Sequence, residues 1–92
     1  MARNKLSADE VLILSYLAKR SINGPNEHTR PLAIAEHFGY SKCRIYEKLE
    51  KMRNLGYAVC AEKRMWKGEG WHSVWTVTPA GVEFLKQFKD LI

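Results

Sequence analysis

The feature that most constrains this chain is the punctuation between residues 31 and 56. Pro31 opens a stretch in which Leu32, Ile34, Ala35 and Phe38 form one apolar face, and Gly39 closes it. Only Tyr40 separates that glycine from Ser41, a good helix N-cap. Ile45, Leu49 and Met52 then recur at i, i+4 and i+7 until Leu55 and Gly56. Proline suits the first position of a helix, where its missing N–H costs nothing, and glycine suits the left-handed residue that ends one. Helix, tight turn and helix therefore occupy 31–38 and 41–55, the helix-turn-helix layout.

The flanks follow the same logic. Ser7-Ala-Asp-Glu10 is a capping-box pattern, with Leu6 where a hydrophobic staple packs. Val11, Leu12, Leu14, Tyr16 and Leu17 make the next helix strongly apolar. It is expected over 7–20, ending at Lys19-Arg20, where cations suit the negative end of the helix dipole. Ser21 to Arg30 reads as a loop, because Asn23-Gly24-Pro25 stops the helix. Beyond Gly56, Tyr57–Ala61 and Ser73–Val77 are rich in β-branched and aromatic residues, and Trp66-Lys-Gly-Glu-Gly-Trp71 lies between them as a loop. These read as a β-hairpin over 57–77 with a basic, aromatic tip. Thr78 and Pro79 then cap and start a last helix, expected over 79–91 with Val82, Phe84, Leu85, Phe88 and Leu91 on its apolar face. The fold expected is α+β: a winged helix-turn-helix of three helices, a hairpin wing and a C-terminal helix. At 92 residues it fills one domain, 1–92, with one modest core.

Fifteen Lys and Arg stand against ten Asp and Glu, a formal charge of +5. That balance suits a polyanionic partner, although charge speaks about partners and not about fold. No apolar run approaches the length of a membrane span, and the N-terminus lacks the apolar stretch of a signal peptide, so a cytoplasmic protein is expected. Cys43 and Cys60 form no CxxC pair, and His28, His37 and His72 are scattered, so no zinc site or other cofactor is expected. There is no paired-carboxylate, nucleophile–base or phosphate-cradling constellation, which argues against an enzyme.

Three segments carry a family resemblance. Ser41-Lys-Cys-Arg-Ile-Tyr-Glu-Lys-Leu-Glu-Lys-Met52 resembles the recognition helix of winged-helix transcription regulators of the multiple-antibiotic-resistance and phenolic-acid types. Leu55-Gly56-Tyr57 is similar to their Leu-Gly-aromatic exit into the wing. Trp75-Thr-Val-Thr-Pro-Ala-Gly81 is similar to the Tyr-x-Leu-Thr-x-x-Gly segment that leads out of it. The resemblance implies a sequence-specific, double-stranded DNA-binding transcription regulator, with its recognition helix in the major groove and its wing on the backbone or minor groove. Those families add long dimerisation helices, whereas one helix of about a dozen residues follows the wing here, so no small-molecule ligand is implied. Compact versions of this kind are frequent among viral and mobile-element regulators, which for a viral protein means the host cytoplasm.

At about 100° per residue the buried stripe leaves Cys43, Arg44, Glu47 and Lys51 on the outward face of the recognition helix, with Lys42, Tyr46 and Lys48 flanking it. Ser41 is placed to touch a phosphate at the helix N-terminus. Arg44 is the candidate for base readout, because its fork matches guanine O6 and N7. Glu47 either accepts from a cytosine amino group or orients Arg44 or Lys51 within the helix. The same face also reads as a plain solvated surface. On the wing, Lys63, Arg64 and Lys67 suit phosphate or minor-groove contact, and His72 adds charge only when protonated. Trp66 and Trp71 either pack across the hairpin as a brace, the favoured reading, or stack on nucleic acid. Arg3 and Lys5 are a phosphate-contacting arm or a plain tail, and Arg30 is placed to meet the backbone near the second helix. Cys43 is a redox switch or a small filler.

The apolar first and last helices exceed what one small domain covers. A homodimer through Leu12, Tyr16, Phe84, Leu85, Phe88 and Leu91 is therefore expected, reading a palindromic site. The alternative is a winged-helix protein-interaction module of transcription or replication machinery, since fold does not fix function.

Overall fold

A computed structural model describes residues 6–87. Helix α1 spans Ala8–Arg20 and is fixed at its start by the capping box. The Ser7 hydroxyl accepts from Glu10 N–H at 3.3 Å, and Glu10 Oε1 accepts from Ser7 N–H at 3.0 Å. Val11, Ile13, Leu14 and Leu17 have no exposed surface, and Leu6 is buried beside them. Ser21 ends the helix by donating its N–H and hydroxyl to Leu17 O. The loop beyond it is held by Asn26, whose amide donates to Arg20 O and Gly24 O and accepts from His28 N–H. A single 3-10 turn, Glu27–Thr29, buries Thr29 completely.

Helix α2, Pro31–Phe38, has proline at its first turn and ends at Gly39 in the left-handed conformation, φ 74°. The turn then needs only Tyr40, whose N–H donates to Ala35 O, before Ser41 caps α3, Lys42–Asn54, by accepting from Arg44 N–H at 3.2 Å. Ile45, Leu49 and Met52 are wholly buried, as the period requires. Strands β1, Ala58–Trp66, and β2, Gly70–Val77, form an antiparallel hairpin with an irregularity between Cys60 and Glu62. Helix α4, Pro79–Leu85, closes the described chain under a Thr78 cap. The core gathers α1, α2 and α3 with Ala58, Trp75, Phe84 and Leu85.

The expected α+β winged helix-turn-helix is the fold observed. Two details differ. The strands run well past Ala61 and start well before Ser73. Met65 pairs with Trp71 and Trp66 with Gly70, and positive φ at Gly68 and Gly70 lets a three-residue turn close the ribbon. Phe84 and Leu85, expected on a dimer face, are buried in the chain's own core, where the Phe84 ring stacks on Tyr57 at 4.5 Å. Of the helix expected over 79–91, α4 accounts for Pro79–Leu85, and Phe88 and Leu91 lie outside the described residues.

Hairpin and α4 meet in one joint. Thr78 N–H donates to Tyr57 O at 3.0 Å, and the Thr78 hydroxyl donates to Gly56 O at 2.6 Å while accepting from Gly81 N–H. Gly81 packs directly on the Tyr57 carbonyl. The two sequence segments that flank the wing are thus halves of a single clasp, which fixes the wing's root against the end of α3.

Candidate nucleic-acid interface

Helix α3 carries its cations on two flanks with different surroundings. On the flank facing α1, Lys48 Nζ lies 3.2 Å from Glu10 Oε2 and Lys51 Nζ lies 2.8 Å from Glu10 Oε1. Glu10 is buried. Burial alone would raise its pKa. The hydrogen bond from Lys51, the N–H of Ser7 and the hydrogen bond and charge of Lys48 outweigh that and hold the pKa at about 2. Lys48, with its side chain 15% exposed, is a structural cation, and Lys51 is turned toward α1 and away from the outward face expected for it. Arg44 leaves this flank for solvent over the Tyr40 ring, 5.3 Å from its centre. The Tyr40 hydroxyl donates to Asp9 Oδ2 at 3.1 Å, and that hydrogen bond raises the tyrosine's pKa. Asp9 and Glu10, the acidic first turn of α1, therefore orient the basic flank of α3.

On the outer face Lys42, Cys43, Arg44, Tyr46 and Glu47 are exposed around the Ser41 cap. Lys42, Arg44 and Glu47 form no ion pair among the described residues, and Lys42 Nζ sits 6.0 Å from the Tyr46 ring centre. Glu47 thus makes neither of the intrahelical pairs open to it. Both cysteines are free.

The wing has two unlike faces. Toward the body, Arg30 places its guanidinium 4.6 Å from the Trp66 ring centre and 2.8 Å from Glu69 Oε1. Its side chain is 13% exposed, so it clasps the wing and is not free for the DNA backbone. His72 lies edge-on to Trp66, and its Nε2 is buried without a hydrogen-bond partner among the described residues. It belongs to this packing and not to an outward surface. Arg64 is cross-strand from His72 and bonds Glu62 Oε2 at 2.8 Å. On the opposite face Lys63 is exposed with Met65 and Trp71, and Lys67 is exposed in the turn. Trp66 and Trp71 occupy adjacent register positions and so point to opposite faces. They do not brace each other across the hairpin. Trp66 packs against Arg30 and His72, and Trp71 stands out at 68% exposure.

Of the dimer-face candidates, Leu12 is exposed, and Tyr16 is half-buried in a stack on His37 at 4.2 Å. Ile22 and Val82 add further exposed apolar surface. An open groove of about 460 Å³ runs between the end of α1, β2 and α4, lined by Ala18, Lys19, Ser21, Ile22, Thr76, Val77 and Val82. No helix among the described residues is long and apolar enough to cross a membrane.

Solved structures share this arrangement. E. coli MarR in its apo form superposes with a TM-score of 0.70 at 11% identity, over 96% of this chain and 58% of that one. The fold is that of MarR. Lactococcus lactis ZitR, solved as a cysteine-to-serine mutant, gives 0.67 at 17% identity, over 98% of this chain and 55% of its own. A MarR-like transcriptional regulator from Thermotoga maritima gives 0.60 at 18%, over 99% and 64%. This chain thus spans somewhat over half the length of the MarR-type structures it matches. No protein-family model and no curated protein matches it.

Local sequence pattern places α3 and the wing but not the Glu10 knot, the Arg30 clasp or the Met65–Trp71 pair. The first two are contacts across 38 or more residues, which local pattern does not encode. The third was within reach: Met65 and Trp71 are equidistant from Gly68, so a turn centred there pairs them.

Proposed function

We propose that this chain is a sequence-specific, double-stranded DNA-binding transcription regulator of the cytoplasm and not an enzyme. One observation carries the reading. Lys42 and Arg44 on α3, and Lys63 and Lys67 on the wing, are exposed and free of ion pairs among the described residues, while the wing's Glu62 and Glu69 are both neutralised by arginines. A recognition helix and a wing that both offer unpaired cations suit a phosphate backbone. The likeness of fold to a multiple antibiotic resistance repressor and to a MarR-like transcriptional regulator supports the same reading.

In this reading Ser41 and Lys42 meet phosphates at the start of α3, and Arg44 reads a guanine edge. Tyr46 and Glu47 border the same bases, and Lys63 and Lys67 hold the backbone beside the wing. Lys48, Lys51, Arg64 and His72, expected from the sequence as contacts, are engaged within the fold instead: the lysines on Glu10, Arg64 on Glu62 and His72 against Trp66. The chain works as a homodimer on a palindromic site. Leu12 and the groove between α1 and α4 supply apolar surface for a second copy, and half-sites fall about one helical turn apart.

Selection of bound duplexes from random DNA, followed by titration with salt, tests this. A recovered palindrome whose affinity falls steeply with salt supports the reading, and absence of binding at low salt overturns it.

A further inference from the structure

The distal wing presents an apolar pair on a basic face. Met65 and Trp71 are directly cross-strand and are exposed by 62% and 68%. Lys63, paired with Ser73, lies on the same face, and Lys67 sits in the turn above. No carboxylate among the described residues shares that face. Glu62 aligns with the opposite one, and Glu69 is held by Arg30. The other indole of the distal wing, Trp66, is committed to the Arg30 clasp, which anchors the hairpin while leaving Trp71 outside. Side by side and uncovered, a tryptophan and a methionine mark a contact surface.

We infer that Met65 and Trp71 form a wedge that enters the minor groove and unstacks a base step, bending the duplex, while Lys63 and Lys67 hold the flanking phosphates. The inference rests on the DNA-binding reading and adds a deformation to it. Charge selects the occupant, because an apolar pair flanked by lysines and free of acids suits a polyanion that offers flat faces between its charges. Size agrees. The ribbon from Glu62 to Trp66 reaches about 13 Å, and two strands about 4.8 Å apart with their side chains are broader than a groove about 6 Å wide, so it lies over the groove and sends in side chains, not backbone. Apolar side chains inserted in this way kink DNA toward the major groove, where α3 lies in the proposed complex. Base steps that unstack easily would then be favoured at positions that α3 never touches.

The test uses the full chain and a duplex obtained by selection, end-labelled for energy transfer and carrying 2-aminopurine at candidate steps. Wild type is expected to shorten the end-to-end distance and to raise 2-aminopurine emission at one step per wing. Trp71 fluorescence should be quenched, a signal that Trp71→Phe removes. Trp71→Ala is expected to abolish bending and unstacking and to weaken binding about 10-fold, with the salt slope unchanged because no phosphate contact is lost. Trp71→Phe should restore bending and Met65→Ala should reduce it. The exposure of Trp71 keeps these variants folded, as circular dichroism will verify. Binding without bending or unstacking overturns the wedge and leaves the regulator reading intact. Trp71→Ala that binds and bends as wild type also overturns it, and assigns the pair to a protein partner. Failure of wild type to bind any duplex overturns both.

Discussion

Lys51 Nζ lies 2.8 Å from Glu10 Oε1, which joins the helix proposed to read DNA to the first turn of α1. Lys48 bonds the other oxygen of the same buried carboxylate. Glu10 thus closes its capping box and anchors α3 at once. Its pKa is lowered from 4.5 to about 2, so the stability it contributes is complete above pH 4.5 and is lost as pH falls from there toward 2. A shift of that size corresponds to about 3 kcal/mol, and solvent around the half-exposed Lys51 reduces it to about 2 kcal/mol. Glu10→Gln, which still accepts from Ser7 N–H, is expected to lower stability by that amount at pH 7 and to flatten the acid limb of a Tm-against-pH profile. An unchanged acid limb would show that other carboxylates govern it.

The same residue shows what the sequence can and cannot disclose. Ser7-Ala-Asp-Glu10 is legible because capping is a local exchange of hydrogen bonds over three residues, and so are the Gly39 turn, the Ser41 cap and the Thr78-Pro79 start. Whether a lysine 41 residues away on another helix bonds Glu10 depends on how α1 crosses α3, which no local pattern states. Helical spacing placed Lys51 outward because it measures angle from the buried stripe and ignores the neighbour lying along one flank. Arg30 misled for a similar reason: its position before α2 suggested a phosphate contact, and the folded hairpin brought Trp66 and Glu69 to it first.

Gly81→Ala tests the joint at the root of the wing. A Cβ there would collide with the Tyr57 carbonyl and meet Val77 Cγ1 at 2.8 Å. Backbone cannot swing aside as a side chain can, so α4 must shift and carry Phe84 and Leu85 out of the core. A loss of about 2–3 kcal/mol in urea unfolding is expected. Gly39 has open space around it and fails for a different reason: alanine there strains a left-handed residue, at about 1 kcal/mol.

Arg30→Ala removes both the Glu69 ion pair and the cover over Trp66. The core is not involved, so Tm should fall by only a few degrees, in line with about 1 kcal/mol. Trp66 gains water, and its emission should shift to the red. Amide exchange should quicken in 62–74 and stay unchanged in α1 and α3. Protection lost across the whole chain would make Arg30 a core residue in effect and not a clasp.

Arg44→Ala is expected to weaken binding by about 1–3 kcal/mol and to relax preference at one base position. Tyr40→Phe leaves the ring under Arg44 but releases Asp9, so it should broaden that preference with a smaller loss of affinity. An equal loss for Arg44→Ala on every sequence would make it a phosphate contact.

The lysines of α3 and the wing divide into two groups that salt titration separates. A cation that meets a phosphate releases a counterion, and each such contact steepens the dependence of affinity on salt by nearly one logarithmic unit. Lys42, Lys63 and Lys67 have no carboxylate partner among the described residues, so replacing any of them by alanine should lower the slope by about 1. Lys48 and Lys51 share the buried carboxylate of Glu10, at 3.2 and 2.8 Å, and a lysine that left it for a phosphate would take a hydrogen bond away from a buried charge. Lys51→Ala is therefore expected to keep the wild-type slope while reducing thermal stability, and its combination with Glu10→Gln should cost less than the two single changes together. A slope that falls by a full unit in Lys51→Ala would mean that the Glu10 knot opens on DNA, with α3 turning that flank toward the backbone.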